Sequence, residues 1–155
     1  MFVIGFPGTN QEADPADPAD LNSERTYKRM RTHGYTVAGN EVLVLDAARR
    51  YPHVVAFGLN PGFVKTNIRA NLFGSRAFLK VMEFLTGFMT VSPETYADRI
   101  VPQLVSPDLD GRSGAMFDNK ARAILPSAKS TEIPYADAVI AASAALLAGA
   151  EPVLS

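Results

Sequence analysis

The sequence predicts an α/β fold, a small layered structure in which a parallel sheet of about three strands carries helices on its faces. Three observations predict it. Short β-prone apolar runs alternate with helix-period segments, in the order strand, helix, strand, helices, strand, helix. Turn residues close the apolar runs: Pro7-Gly8 after the first and Asn60-Pro61-Gly62 after the second. The chain has 155 residues, 47% of them hydrophobic, enough for one domain over residues 1–155 to bury a core without covalent staples. Strands separated by helices connect through right-handed crossovers, which makes them parallel.

Residues 1–6 form an apolar run that reads as a buried strand entering a turn. A domain seldom opens directly on a buried strand, which hints at a sheet neighbour missing upstream. Residues 10–24 are an acidic, Pro-rich loop. In Asp14-Pro15-Ala16-Asp17-Pro18-Ala19-Asp20 a proline recurs every third residue, which bars both an α-helix and a central strand. Residues 33–50 have helical periodicity: Val37, Ala38, Val42, Leu45 and Ala48 share one face, widened by Leu43 and Val44. Arg49 and Arg50 suit the end of that helix and Pro52 stops it. Residues 53–59 are β-rich around Val54-Val55-Ala56-Phe57.

Residues 67–91 are strongly apolar and read as helical, with Gly74 and Gly87 as interruptions. They fit two core helices or a lid over an apolar pocket. Ser92-Pro93-Glu94 is a helix start, with serine at the N-cap and proline in the first turn. That helix runs to about Leu104, with Tyr96, Ile100 and Leu104 on one face. Residues 111–117 and 121–125 read as a strand and a short return strand, joined by a turn at Asp118-Asn119-Lys120. Residues 135–148 form an Ala-rich terminal helix, too short and too interrupted to span a bilayer.

Composition excludes several functions. Without cysteine there is no disulfide, thiolate metal site or cysteine nucleophile, and two histidines exclude a histidine-rich metal site. A formal charge of −1 argues against nucleic-acid binding. No apolar stretch is long enough for a membrane span, and residues 1–4 have no basic lead of the kind a signal peptide carries. A cytoplasmic protein is expected.

The most specific segment is Leu59-Asn60-Pro61-Gly62-Phe63-Val64-Lys65-Thr66. It directly follows a predicted strand, and ligands of parallel α/β sheets bind beyond the carboxyl ends of strands. Pro61-Gly62 allows a sharp turn and a close backbone approach, and Thr66 adds a hydroxyl at the rim. Thr66 also fits a helix N-cap ahead of Asn67-Ile68-Arg69.

With this segment, the first strand and turn Val3-Ile4-Gly5-Phe6-Pro7-Gly8, and the helix bearing Tyr35 and Asn40, the sequence resembles the second half of the short-chain dehydrogenase/reductase family. The resemblance runs over about residues 1–117. It implies a truncated, doubly wound Rossmann-like layer that retains the fifth, sixth and seventh strands, with the first strand as an open edge. It implies NAD or NADP as cofactor, with Pro61, Gly62, Val64 and Thr66 at the nicotinamide, and Tyr35 as the catalytic proton donor. A small carbonyl or alcohol would be the substrate, with Phe73, Phe78 and Phe88 of residues 67–91 lining an apolar substrate pocket. It also implies possible pairing of copies through the 33–50 helix.

The departures are specific. No glycine-rich dinucleotide cradle occurs, and Thr9 is the nearest hydroxyl to the family's serine position. In the family's Tyr-x-x-x-Lys pattern, Tyr35 is followed by Gly39 at the lysine position. A register starting at His33 puts Val37 there instead. That lysine holds the cofactor ribose and lowers the pKa of the tyrosine phenol, whose ordinary value of about 10 suits a base poorly at neutral pH. A partial oxidoreductase that is not competent alone is therefore expected. The alternative is a non-catalytic association module working through the 33–50 helix. The plain structural alternatives are a half-buried Tyr35, a surface His33, and a solvated basic face at Lys28, Arg29 and Arg31 neutralised by the acidic loop.

Overall fold

The chain turns out of its first long helix into the middle of an open sheet. The structure, a computed structural model, describes residues 1–5, 15–64 and 90–149. In chain order the elements are β1 (Phe2–Ile4), α1 (Arg29–Arg50), β2 (Phe57–Leu59), β3 (Phe63–Val64), β4 (Thr90–Val91), α2 (Pro93–Leu104), β5 (Met116–Phe117), β6 (Ala123–Ile124), α3 (Ala128–Thr131) and α4 (Ile133–Gly149). Two 3-10 turns, Pro18–Asp20 and Pro107–Leu109, lie between them.

The main sheet has the order β1-β2-β5-β6. β1 pairs with β2 in parallel, Phe2 opposite Phe57 and Ile4 opposite Leu59. β2 pairs with β5 in parallel, and β5 with β6 antiparallel. The three expected parallel strands are present, and the return strand adds a fourth to make the sheet mixed. The architecture is a Rossmann-like α/β layer with an open sheet and flanking helices.

β1 differs from the buried strand the sequence predicts. Phe2 and Ile4 are 39% and 62% exposed, because among the described residues β1 pairs on one side alone. Apolar character there marks an edge strand. β2 is shorter than predicted: Val54 and Val55 are exposed, and the Val54 N–H donates to the Tyr51 carbonyl at 2.8 Å. Pro52 forces the chain to turn before it can enter the ladder. α1 starts at Arg29, before residue 33, since the ladder already holds at the Thr32 N–H to the Lys28 carbonyl, 2.8 Å. The helix predicted over 67–91 does not extend to Thr90-Val91 as expected: these two residues pair as β4 with Phe63-Val64. Both are β-branched and suit a strand. Residues 67–89 lie outside the described residues. The loop predicted at 10–24 is seen from residue 15 and contains one 3-10 turn, capped by the Asp17 carboxylate accepting the Ala19 N–H.

Alternation along the strands assigns the two faces. Phe57, Leu59 and Phe117 pack with Ile100 and Leu109, joined by Tyr96 and Leu104 of α2. Met116 packs on the other face with Val44, Ala47 and Ala56. α1 thus has the sheet on one side. Its other side meets Ala16 and α4 through Tyr35, Ala38, Val42, Tyr135, Ala136 and Val139. The apolar face predicted for α1 is covered within the chain, with Val37, Val42 and Val44 all buried and Leu43 exposed. Full burial of one such side chain stabilises by about 1.5–3 kcal/mol.

Two polar contacts fasten the C-terminal helices to α1. Asp46 and Asp137 accept from Arg49 and Arg50, with Arg50 to Asp137 at 2.6 Å and both arginines to Asp46 at 2.7 Å. Glu41, 1% exposed, accepts the Ser127 N–H ahead of α3.

Candidate functional site

The carboxyl ends of β1, β2 and β5 lie side by side, and each releases the chain through polar or glycine residues. Gly5 follows β1, and its N–H donates to the Leu59 carbonyl at 2.9 Å. Asn60 follows β2, and its N–H donates to the Phe117 carbonyl at 2.8 Å. Asp118 and Asn119 follow β5. From α1, the Asn40 amide makes a long contact of 3.4 Å to the Ile4 carbonyl. It sits so close that a Cβ at Gly5 would lie 3.0 Å from Asn40 Nδ2.

The Asn60-Pro61-Gly62 turn forms beyond β2, the central parallel strand. Asn60 Oδ1 accepts the Gly62 N–H at 2.8 Å, so the asparagine side chain closes the turn from inside. Gly62 has φ +61°, the left-handed region that favours glycine. A Cβ there would stand 2.6 Å from Asn119 Nδ2. Val64 lies in β3, immediately beyond the turn. Thr66 and Thr9 lie outside the described residues, as do Phe73, Phe78 and Phe88.

The β5–β6 hairpin is held by one carboxylate. Asp118 accepts from the Lys120 N–H at 2.8 Å, the Arg122 N–H at 3.0 Å and Arg122 Nε at 2.8 Å. Partial burial alone would raise its pKa, but the hydrogen bonds from Arg122 and Lys120 outweigh it and hold the carboxyl below its usual range.

Tyr35 is not brought to this turn. It is 5% exposed and packs among Ala16, Ala38, Val42 and the α4 residues Tyr135, Ala136 and Val139. The Arg31 guanidinium lies 5.4 Å from its ring centroid. At ~100° per helical residue, Tyr35 stands roughly 140° around α1 from Asn40. It is more deeply buried than the half-buried aromatic that the plain structural alternative describes. A Cβ at Gly39 would meet nothing within 4 Å, so the lysine position is open space. His33 is exposed, as expected. The acidic loop does supply a partner to a neighbouring cation, Arg25, which lies 3.8 Å from Asp20.

Glu41 and Asn119 carry no local sequence pattern that points to their contacts, and Asn40 enters the sequence reading only as part of the helix that carries the resemblance. Asn119 looked like an ordinary turn residue, and nothing local announces that it packs on a glycine 57 positions away. An open groove of about 460 Å³, lined by Met1, Phe2, Val55, Phe57, Leu104 and Val105, lies at the amino ends of β1 and β2, away from the turn. Among the described residues no acidic or histidine cluster could hold a metal, and no helix is long and apolar enough to cross a membrane.

An open α/β sheet with this turn beyond its central strand fits a relationship to the oxidoreductases of the short-chain dehydrogenase/reductase type. The relatives agree. The chain is 50% identical over 129 residues to the uncharacterized oxidoreductase YKL107W of Saccharomyces cerevisiae, covering 82% of this chain and 41% of that protein. It is 28% identical over 112 residues to retinol dehydrogenase 14 of Mus musculus, covering 70% of this chain and 34% of that protein. The chain therefore spans less than half the length of either relative. No protein-family model matches it.

Proposed function

We propose that this chain forms the nicotinamide-facing part of an NAD(P)-dependent oxidoreductase of carbonyl or alcohol substrates, and does not complete the reaction alone. The observation that carries this reading is the fixed Asn60-Pro61-Gly62 turn at the carboxyl end of β2, in a chain 50% identical over 129 residues to part of an uncharacterized oxidoreductase. A nicotinamide cofactor bound there would supply or accept the hydride. The residues fit that group in part. The turn fixes the backbone at Pro61 and Gly62 beyond β2, and Val64 and Thr66 follow it in sequence. By contrast, Gly39 supplies no ammonium for a ribose. Tyr35 is packed against α4, away from the turn, and can give up its proton to a substrate only if that packing opens.

Titrating the purified chain with NADPH and with NADH, followed by nicotinamide fluorescence, tests the reading. Weak saturable binding without turnover of a short aldehyde is expected. Gly39→Lys, which has room for its side chain, is expected to tighten binding severalfold. No saturable signal from either protein at millimolar cofactor sinks the cofactor reading. Turnover by the unaltered chain sinks the claim that it is incomplete.

A further inference from the structure

We propose that Asn119 is a positioning residue that locks the Asn60-Pro61-Gly62 turn from outside. The role rests on the reading of that turn as the nicotinamide seat. The contact is extensive: a Cβ on Gly62 would meet Nδ2, Cγ and Cβ of Asn119 at 2.6, 3.1 and 3.3 Å. The asparagine side chain thus lies along the bare Cα of the glycine. Gly62 needs such a support. Glycine samples both signs of φ with similar ease, so a turn built on it holds one shape when its surroundings hold it. Asn60 Oδ1 grips the Gly62 N–H on one side, and Asn119 fills the other.

Asn119 is itself firmly mounted. Asp118 gathers the Lys120 and Arg122 amides and the Arg122 guanidinium. The Asp118 N–H donates to the Arg122 carbonyl at 2.9 Å, and Ala121 takes a left-handed φ of +59° to close the hairpin. β5 and β2 share a ladder, and the Asn60 N–H reaches the Phe117 carbonyl at 2.8 Å. Turn and bracket are therefore mounted on adjacent strands of one sheet. A flat ring laid against a turn gains most when the turn's N–H and C=O groups are already oriented, which is what a rigid supporting side chain provides.

The test compares the full chain with Asn119→Ala and with Asn119→Leu, which fills similar space. Amide hydrogen exchange by NMR reads the turn, and fluorescence titration with reduced nicotinamide mononucleotide reads the seat. In Asn119→Ala, exchange at Gly62 is expected to rise about tenfold, as local opening becomes easier. Binding is expected to weaken by a similar factor, while protection at Phe57 and Leu59 and the thermal midpoint stay unchanged. Asn119→Leu is expected to restore both readouts. Unchanged exchange at Gly62 in Asn119→Ala overturns the proposal, as does undiminished binding. Faster Gly62 exchange in Asn119→Ala, with no nicotinamide mononucleotide binding by the unaltered chain, overturns the seat and supports the bracket.

Discussion

Two constraints meet at Gly62, a left-handed backbone and a neighbouring side chain already in van der Waals contact. Gly62→Ala adds a Cβ that violates both, so a loss of about 1–3 kcal/mol is expected in urea unfolding of the full chain. Gly39→Ala meets open space in regular helix and should instead stabilise by up to about 1 kcal/mol. A common loss at both glycines would refute the contrast. Glu41 poses a different problem, a carboxylate at 1% exposure that accepts the Ser127 N–H. Glu41→Ala orphans that donor and is expected to cost about 2 kcal/mol or more by the same measurement. Of these residues the sequence announced Gly62, through its Pro-Gly turn after a strand. It did not announce Asn119 or Glu41, because their partners are brought near by the fold and leave no local pattern. The resemblance led to Tyr35, but burial depends on which way α1 rotates, and α4 decides that.

At the scale of elements, α1 is the shared wall between the sheet and the C-terminal helices. Its clasp to α4 is electrostatic. Hydrogen bonds from Arg49, then from Arg50, hold the Asp137 carboxyl below its usual range, outweighing the opposing desolvation. A carboxylate whose folded pKa is depressed stabilises above its unfolded value of about 3.9, and that contribution fades as pH falls through the folded value. Asp118 in the hairpin has the same sign. The thermal midpoint is therefore expected to drop below about pH 4. Asp137→Asn should flatten part of that drop, and raised salt should blunt the difference, since the pair is exposed. An equally steep acid limb in Asp137→Asn would rule out the clasp as its source. α2 was legible to the residue: Ser92 Oγ accepts the Thr95 N–H at 3.1 Å, and Ile100, Tyr96 and Leu104 share the buried side. The strands were legible in order but not in length. A parallel ladder ends where a neighbour ends, and composition does not record that.

At the scale of the molecule, the main sheet ends among the described residues in two edge strands, the hairpin strand β6 and the strand β1. Among those residues β1 pairs with β2 alone and carries exposed Phe2 and Ile4. Exposed, apolar edges of this kind recruit further strands. Self-association that grows with concentration is expected by light scattering, and Ile4→Lys should suppress it while leaving the unfolding midpoint nearly unchanged. If association persists at equal strength in Ile4→Lys, the edge is not its cause. The other proposed route, α1, has its apolar face covered by the sheet and α4. The α/β class could be read in advance from alternation, and the three parallel strands with an open first edge from the resemblance; the exposure of Phe2 and Ile4 agrees with that edge.

The parallel pairing of Phe63-Val64 with Thr90-Val91 carries a last consequence. The chain departs after Val64 and returns at Thr90 on the neighbouring strand, so both roots of the stretch between are held on one ladder. Exchanging it for a longer or shorter graft leaves those roots where they are. Doubling its length adds only about 0.6 kcal/mol of closure entropy. Changes of length between residues 64 and 90 are therefore expected to leave the β3–β4 rung and the turn ahead of it in place.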